Sequence, residues 1–477
     1  MIRTLATKQK SKDISWAKEE FSKIRLEDKR LNQRCQKVAH ALERQSTEPI
    51  NQACEDWADA KAAYRFFDNS KVTPNKILAP HFQRTVKRMK SHPLVLAIQD
   101  TSFLNYTHHP HTEGLGEIGT KQQNQRGFGM HSTLAVTPQG LPLGLLTQQF
   151  FERPIGEAAH TASEIQKLPI EEKESYRWIE AFEQVIALKP EGVQVVTVCD
   201  READFYEMFV MAKEKHADLL VRASTDRRLA LDEGAKFLWA KAESQKQAGE
   251  LTVDIVGNDK CKARQATVSV RFCTVVFRPP WRPQQKKLPP ITVTAILVRE
   301  DNPPADVKDP IEWLLLTNTI VKDFSQAVQV IEWYGCRWQI EVFHKIIKSG
   351  CRVEDCRLQT AARLQNYIAL MSVVAWRLQW LTYINRTNPE EPCTTVLTTI
   401  EWQVLYMRIH RTSVLPKSLP STHQVIRWIA QLGGFLGRKS DGEPGIVAIW
   451  RGWQRLQDMA ATWALIADDH TILMGNR

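Results

Sequence analysis

The segment VQVVTVCDREAD, residues 193–204, decides the fold. Its first seven residues form a short apolar run rich in β-branched side chains, and Asp200 follows directly. Such a run is typical of a buried strand. A second run of this kind, LVLAIQ at residues 94–99, is followed by Asp100. We therefore predict two buried strands, each ending at an aspartate.

The chain between these strands predicts a hairpin and a helix. Residues 130–138 and 141–150 are strand-like and are joined by a turn at Gln139-Gly140, and residues 171–188 have helical spacing. Strand, hairpin, helix and strand in this order indicate a mixed α/β sheet. Open α/β sheets place their sites at strand ends, although each aspartate alone would more simply be a turn former or a helix N-cap.

The segments on either side of this α/β region have different sequence patterns. Residues 13–68 have helical spacing with many Lys and Arg residues, residues 218–317 are mostly strand-like, and helical patterns dominate from residue 325 onward. We predict a helical domain over residues 1–72, an α/β core over 73–368 with a β-rich insertion at about 218–320, and a helical domain over 369–477.

The positive charge is concentrated at one end of the chain. The 64 Lys and Arg residues outnumber 54 Asp and Glu residues, which gives a net charge of +10. The first 46 residues hold 12 of the basic residues and 6 of the acidic ones. A basic excess favours a polyanionic partner, although a solvated, charged helix face would look the same.

Several classes of protein are disfavoured. The nine cysteines form no C-x-x-C pair, so we expect reduced, buried thiols and a cytoplasmic location. No apolar run is long enough to span a membrane. The G-x-G-x-x-G pattern at residues 114–119 follows no predicted strand, so we expect no nucleotide cofactor.

A polar stripe runs along the segment YGCRWQIEVFHKIIK, residues 334–348. As one helix, this segment would place five polar side chains within an arc of roughly 80°, with apolar residues on most of the remaining surface. These five are Tyr334, Arg337, Glu341, Lys345 and Lys348. We expect a helix buried against the sheet with this stripe facing a site. An ordinary amphipathic helix with a Glu341–Lys345 pair is the alternative.

Three carboxylates on two strands and a helix suit hard cations. Asp100, Asp200 and Glu341 could hold two Mg²⁺ ions, which prefer oxygen ligands. Two such ions stabilise the attacking and leaving oxygens of an in-line phosphoryl displacement. The cationic stripe beside Glu341 would suit a phosphodiester substrate.

These motifs together resemble the IS4-family DDE transposases, and within them the Tn5 (IS50) group. The similarity rests on Asp100-Thr101, on CDREAD at residues 199–204, and on a Tyr-x2-Arg-x3-Glu-x6-Lys signature from Tyr334 to Lys348. It extends to AYRF at residues 63–66, WLLLT at 313–317 and LGGF at 432–435.

The resemblance implies an RNase H-like catalytic core with the β-rich insertion, a helical N-terminal domain for the transposon end, and a helical C-terminal dimerisation domain. It implies cut-and-paste transposition: 3′ nicking, a hairpin intermediate, and joining of 3′-OH ends to target DNA. Asp100, Asp200 and Glu341 would bind two Mg²⁺ ions, with Mn²⁺ as a substitute. The expected partners are double-stranded DNA and a second copy of the chain in a synaptic complex, on the nucleoid of the bacterial cytoplasm.

The resemblance also implies DNA contacts. Tyr334, Arg337 and Lys348, with Lys345 on the same stripe, would hold phosphates near the cleaved junction. Trp313 would stack on a flipped base, the alternative being a strand tryptophan in a β core. Further candidates are, in the insertion, Arg222, and for end recognition Arg25, Lys29, Arg30 and Arg34.

Three other functions stay open at this point. A resolvase-type RNase H-like nuclease would cut DNA without joining it. A catalytically inactive repressor or domesticated element would bind DNA only. A basic scaffold with no DNA role would show little salt dependence in any DNA affinity, whereas phosphate contacts make that dependence steep.

Overall fold

The computed structural model describes residues 15–54, 56–156, 164, 168–255, 264–280, 288–305, 307, 309–439 and 441–475. The described chain forms two compact units. A helical unit contains the residues up to Arg84, Phe103–Phe128 and the chain from Val342 onward, and a sheet unit contains Thr85–Ser102 and Gly129–Glu341. The predicted division at residues 72 and 368 stays a prediction.

The described strands form one ten-stranded mixed sheet in the order β2-β3-β1-β5-β6-β10-β9-β8-β7, with β4 paired to β3. Their bounds are β1 (Leu94–Asn105), β2 (Gly116–Ile118), β3 (Gln125–Val136), β4 (Pro142–Phe151), β5 (Gln194–Cys199), β6 (Asp218–Arg222), β7 (Gly249–Ile255), β8 (Arg264–Phe277), β9 (Ile291–Arg299) and β10 (Glu312–Thr317). The mixed α/β prediction is confirmed.

The centre of the sheet is parallel. β5 pairs in parallel with β1 on one side and with β6 on the other. The predicted hairpin is present as β3 and β4, which are antiparallel. Its turn contains Gly140 at φ 87°, a left-handed conformation that favours glycine.

The strands of the predicted insertion extend this sheet. β7, β8, β9 and β10 form an antiparallel ladder, and β10 pairs antiparallel with β6. β6 itself lies within the predicted insertion range but pairs in parallel with β5. The first strand of that range is therefore part of the central parallel ladder.

Helices pack against the sheet, and helix and strand residues together form the hydrophobic core. A buried cluster joins Trp178 and Phe182 on one helix, Phe209 on the next, and the strand residues Phe277 and Leu316. The helices that lie wholly or partly in the sheet unit are α5 (Pro74–Met89, which starts in the helical unit), α6 (Tyr176–Leu188), α7 (Tyr206–Glu214), α8 (Leu238–Glu243), α9 (Phe324–Gly335) and α10 (Trp338–Lys345).

The helical character predicted for both ends of the chain is confirmed. The N-terminal helices are α1 (Trp16–Glu20), α2 (Lys29–Arg44), α3 (Ile50–Ala53) and α4 (Trp57–Phe67). The C-terminal helices are α11 (Ala361–Thr387), α12 (Thr399–His410), α13 (Thr422–Leu432) and α14 (Ile446–Gly475). Within the described ranges, no helix combines the length and apolar character needed to cross a membrane.

The cysteines of the described chain are free. Cys35, Cys199, Cys351 and Cys393 are buried, as predicted, and the other four described cysteines are half-buried. Cys261 lies outside the described residues.

Candidate active site

Asp100 lies on β1, and Asp200 directly follows β5, the neighbouring parallel strand. The register pairs Ile98 of β1 with Val198 of β5, two residues before each aspartate, and the charge of Asp100 acts on Asp200. Asp200 has an extended backbone (φ −84°, ψ −164°), so it continues the direction of β5. Both aspartates are half-buried at the point where the fully buried part of each strand ends.

The prediction that Asp100 ends its strand is wrong. β1 continues past it to Asn105, although the parallel partner β5 ends at Cys199. β1 also neighbours β3 in the sheet, and a backbone hydrogen bond from Tyr106 N to Arg126 O shows how far that side of the strand remains paired. The apolar pattern ends at Asp100 because the burial ends there, whereas the strand continues.

The surroundings of Asp200 make its ionisation costly. Burial raises the pKa of Asp200, and the negative charges of Asp100 and Glu341 raise it further. A hydrogen bond from the backbone N–H of Glu202 to Oδ1 (2.8 Å) and the charge of Arg337 act in the opposite direction. The three predicted carboxylates are therefore close enough to repel one another, which is a condition that a cation would relieve.

Glu341 lies on α10, where it forms an ion pair with Arg337. Burial lowers the pKa of Arg337, but Tyr334, Glu341 and Asp100 outweigh this effect, so the pKa is raised and the guanidinium stays charged. Arg337 thus neutralises part of the charge of the acidic cluster.

The prediction of one helix from residue 334 to 348 is also wrong. α9 ends at Gly335, residues 336 and 337 form a turn, α10 covers Trp338–Lys345, and a π-helical turn covers Ile346–Gly350. Short-range backbone bonds mark the break, including Arg337 N to Tyr334 O (2.9 Å) and Ile340 N to Arg337 O (3.2 Å). Tyr334 therefore belongs to α9 and Lys348 to the π turn. Lys345 is exposed and Lys348 is half-buried.

Tyr334, Trp313 and Arg222 form a neighbouring group. The rings of Trp313 and Tyr334 meet edge to face with centroids 5.5 Å apart. Arg222, at the end of β6, donates from Nη2 to the backbone oxygen of Glu312 (3.0 Å) and lies close enough to Tyr334 for a side-chain hydrogen bond. Burial lowers the pKa of Arg222 and raises that of Tyr334. Tyr334 is buried, and Trp313 and Arg222 are half-buried.

The four N-terminal candidates differ in their surroundings. Arg25, Lys29 and Arg30 are exposed at or just before the start of α2. Arg34 is half-buried and forms an ion pair with Asp59 (2.6 Å), so its charge is already compensated within the chain.

The chemistry of the carboxylates fits a divalent metal better than their arrangement does. Asp100, Asp200 and Glu341 supply the oxygen ligands that Mg²⁺ prefers, and they repel one another. Across the described part of the chain, however, no three His, Cys, Asp or Glu side chains are grouped to hold a metal ion. Glu341 is instead paired with Arg337.

The sequence interpretation missed three residues near the carboxylates. Arg177 on α6 lies within 3.5 Å of Glu202 and donates to the hydroxyl of Thr101. Trp338 is 53% exposed although it stands in a largely apolar segment. Glu202 could have been noticed from its place in DREAD, but the approach of Arg177 depends on tertiary packing and left no local pattern.

Three family models match the chain in order. A model described as "Transposase DNA-binding" matches residues 13–72, one described as "Transposase DDE domain" matches residues 179–377, and one described as "Transposase Tn5 dimerisation domain" matches residues 373–464. Asp200 and Glu341 fall within the DDE match, and Asp100 lies before it.

Proposed function

The chain is a DDE transposase of the Tn5/IS4 type, and from this premise we propose that it moves its element by cut-and-paste transposition. The middle domain makes it a metal-dependent endonuclease and strand transferase with an RNase H-like fold, and the flanking domains serve DNA binding and dimerisation. The proposed steps are 3′ nicking, hairpin formation and joining of the 3′-OH ends to target DNA, on the DNA of the bacterial cytoplasm.

The proximity of Asp100 to Asp200 supports this proposal most directly. This acidic site contains Asp100 on β1 and Asp200 directly after the parallel strand β5, and the charges of Asp100 and Glu341 both raise the pKa of Asp200. In a DNA-binding protein such a site would repel its substrate unless cations were present. We propose that Asp100, Asp200 and Glu341 hold two Mg²⁺ ions, or Mn²⁺ in their place.

The metal, when bound, would polarise the scissile phosphate and activate the attacking oxygen. The chain's own part is to hold the carboxylates and to bind the DNA. Glu341 exchanges its partner Arg337 for the metal in this proposal, because the ion pair occupies the carboxylate that the metal needs. Arg337 is then free to contact a phosphate, which its planar fork of donors suits.

Trp313 and Tyr334 are proposed to act at the hairpin step. A tight hairpin requires a base to leave the stack, and stacking on an aromatic ring contributes about 1–3 kcal/mol per base. Trp313 is half-buried and its ring lies edge-on to Tyr334. Support from Tyr334 would keep the indole in one orientation while a base stacks on it.

The remaining cations are proposed to hold the DNA. Arg222 adjoins Tyr334, and Lys345 and Lys348 follow Glu341 along the chain. The exposed Arg25, Lys29 and Arg30 would contact the transposon end. Arg34 can contact the transposon end only if its ion pair with Asp59 breaks. Two copies joined through their C-terminal domains would bring two ends into a synaptic complex.

Cleavage of a duplex carrying the inverted repeat that flanks the gene tests the function. Wild-type protein with Mg²⁺ should nick the 3′ strand, form a hairpin, and join pre-cut ends to a plasmid. Cleavage without joining would indicate a resolvase-type nuclease instead. Binding without metal-dependent nicking would indicate a repressor or domesticated element.

A further inference from the structure

Arg177 connects the two strand ends that carry the aspartates. Its Nε donates to Oγ1 of Thr101 (3.3 Å), the residue that follows Asp100. Its Nη2 lies 3.5 Å from Oε2 of Glu202, two residues after Asp200. One guanidinium on α6 thus contacts both β1 and the segment that follows β5.

The partner on β1 is itself held firmly. Oγ1 of Thr101 lies 2.9 Å from Nδ1 of His131, which is completely buried on β3. The His131 ring packs edge to face against Trp178, with centroids 4.6 Å apart, and Trp178 follows Arg177 directly on α6. The hydroxyl of Thr101 is therefore fixed from two sides.

Arg177 is also held in a single orientation. Only 11% of its side chain is exposed, and its Cζ lies 4.7 Å from the centroid of the Phe151 ring. Nη1 donates to the backbone oxygen of Glu174 (2.6 Å) and to its carboxylate (2.9 Å). Glu174 accepts two further hydrogen bonds from Arg153, at 2.8 and 2.7 Å. These contacts together fix the position of the Arg177 guanidinium.

We propose that Arg177 is a positioning residue, which sets the separation of Asp100 and Asp200 by holding Thr101 and Glu202. This inference rests on the proposed function, because the separation matters only if both aspartates bind one metal site. A guanidinium can hold two partners at fixed angles, whereas an ammonium holds them only as a point charge. Lysine at this position keeps the charge but loses the geometry.

The test uses the full-length protein on its own end duplex. Wild type is compared with Arg177→Gln, Arg177→Lys and the matched control Arg153→Gln, which removes a neighbouring partner of the same Glu174. The Mg²⁺ concentration at half-maximal nicking, the maximal nicking rate, the affinity for the end and the melting temperature are measured. Mn²⁺ binding to the DNA-free protein, followed by electron paramagnetic resonance, reports the metal site independently of activity.

Arg177→Gln should raise both the half-maximal Mg²⁺ concentration and the Mn²⁺ dissociation constant by about 10-fold or more, as losses around metal ligands commonly do. Arg177→Lys should recover part of this loss, and Arg153→Gln should match wild type. End affinity should be unchanged in all three. An unchanged metal dependence in folded Arg177→Gln, or an equal shift in Arg153→Gln, would overturn the proposal.

Glu202→Gln keeps the test decisive if Arg177→Gln does not fold, because the Glu202 side chain is 58% exposed. It should shift the metal dependence in the same direction by a smaller factor, and no shift would overturn the proposal. Wild-type protein that fails to nick at any Mg²⁺ concentration would refute the proposed function instead. Wild-type nicking with unaffected variants would refute only the role of Arg177.

Discussion

Glu20 in the helical unit and Asp200 in the sheet unit are shielded carboxylates with opposite surroundings. Glu20 is 2% exposed, and its two oxygens lie 2.6 Å from Nδ1 of His81 and 3.0 Å from Nε of Arg84. Asp200 is surrounded by the like charges of Asp100 and Glu341, with Arg337 as the nearby cation. Glu20 is paired with His81 and Arg84 within the fold, whereas Asp200 is repelled by neighbouring carboxylates. A bound cation could relieve this repulsion. This difference separates a structural acid, Glu20, from the proposed metal ligand Asp200.

The largest expected effect tests the functional side of this comparison. Glu341→Gln removes a proposed metal ligand, so cleavage should fall on the order of 10³-fold, since metal stabilisation of a transition state is worth several kcal/mol. End binding should persist because the DNA-binding domain is distant in sequence. Gel assays of nicking and of end binding measure the two effects.

Glu332→Gln is the matched control, because Glu332 is an exposed acid on the neighbouring α9. It should nick at the wild-type rate. Near wild-type cleavage by Glu341→Gln would remove Glu341 from the triad.

Substitution of the structural acid Glu20 should reduce the stability of the protein. Glu20→Gln removes the negative charge that the buried His81 and the half-buried Arg84 contact, which should lower the free energy of unfolding by about 3–5 kcal/mol. Denaturant melts of the metal-free protein measure this. Glu19→Gln is the control, since Glu19 pairs with the same Arg84 but is 58% exposed and should matter by about 0–1 kcal/mol. Equal losses in both variants would contradict the comparison.

The Trp313→Ala variant tests whether Trp313 stacks on a DNA base or only packs in the core of the sheet unit. Loss of base stacking should slow hairpin formation roughly 5- to 150-fold, in line with 1–3 kcal/mol per base, and should leave the first nick nearly unchanged. Single-turnover gels resolve the two steps, and Trp313→Phe should restore part of the rate. Equal slowing of both steps would make Trp313 a core residue only.

A third acid, Glu43 in the helical unit, sharpens the comparison through pH. Burial raises its pKa from 4.5 to about 8, with Glu401 adding to the rise and Arg377 opposing it. Because the folded state favours the protonated form, the stability from Glu43 is full below about pH 4.5 and is lost as the pH rises to about 8. The loss amounts to about 1.4 kcal/mol per pH unit. Glu43→Gln should flatten the fall in melting temperature over this window, and an unchanged slope would contradict the account.

The smallest effect on stability is expected at Asp200 itself. Its pKa is raised, so ionisation at neutral pH costs stability in the metal-free protein. Asp200→Asn removes that cost and should raise the free energy of unfolding in EDTA by at most about 1 kcal/mol, given partial solvent screening. The same variant should be unable to nick DNA. A clear loss of stability would place Asp200 with Glu20 as a structural acid.

Local sequence patterns predicted which helices and strands form. They did not predict the residues at which these elements end, because long-range pairing sets those ends. The strands around residues 94–99 and 194–199 and the hairpin between them follow from apolar patterns and one glycine turn. The continuation of β1 beyond Asp100 depends on β3, which lies on its other side. The break between Gly335 and Trp338 was missed because Tyr334 to Lys348 has helical spacing on both sides of it.

The site shows the same limit at individual residues. The CDREAD motif presents Asp200 and Asp204 alike, yet Asp204 accepts bonds from the backbone N–H groups of Ser224 and Thr225 and pairs with Arg227 (2.5 Å). Asp204 is thus a structural acid four residues from the proposed metal ligand Asp200. Only the fold decides which aspartate faces Asp100.

Iron-directed cleavage of the polypeptide tests the central claim most directly. Fe²⁺ replaces Mg²⁺ in the complex with end DNA, and peroxide and ascorbate then generate radicals that cut the chain next to the bound metal. If Asp100, Asp200 and Glu341 form one site, mass spectrometry should find cuts near all three positions, and excess Mg²⁺ should suppress them together. Cuts near only one of these positions, or cuts that Mg²⁺ does not suppress, would contradict the account.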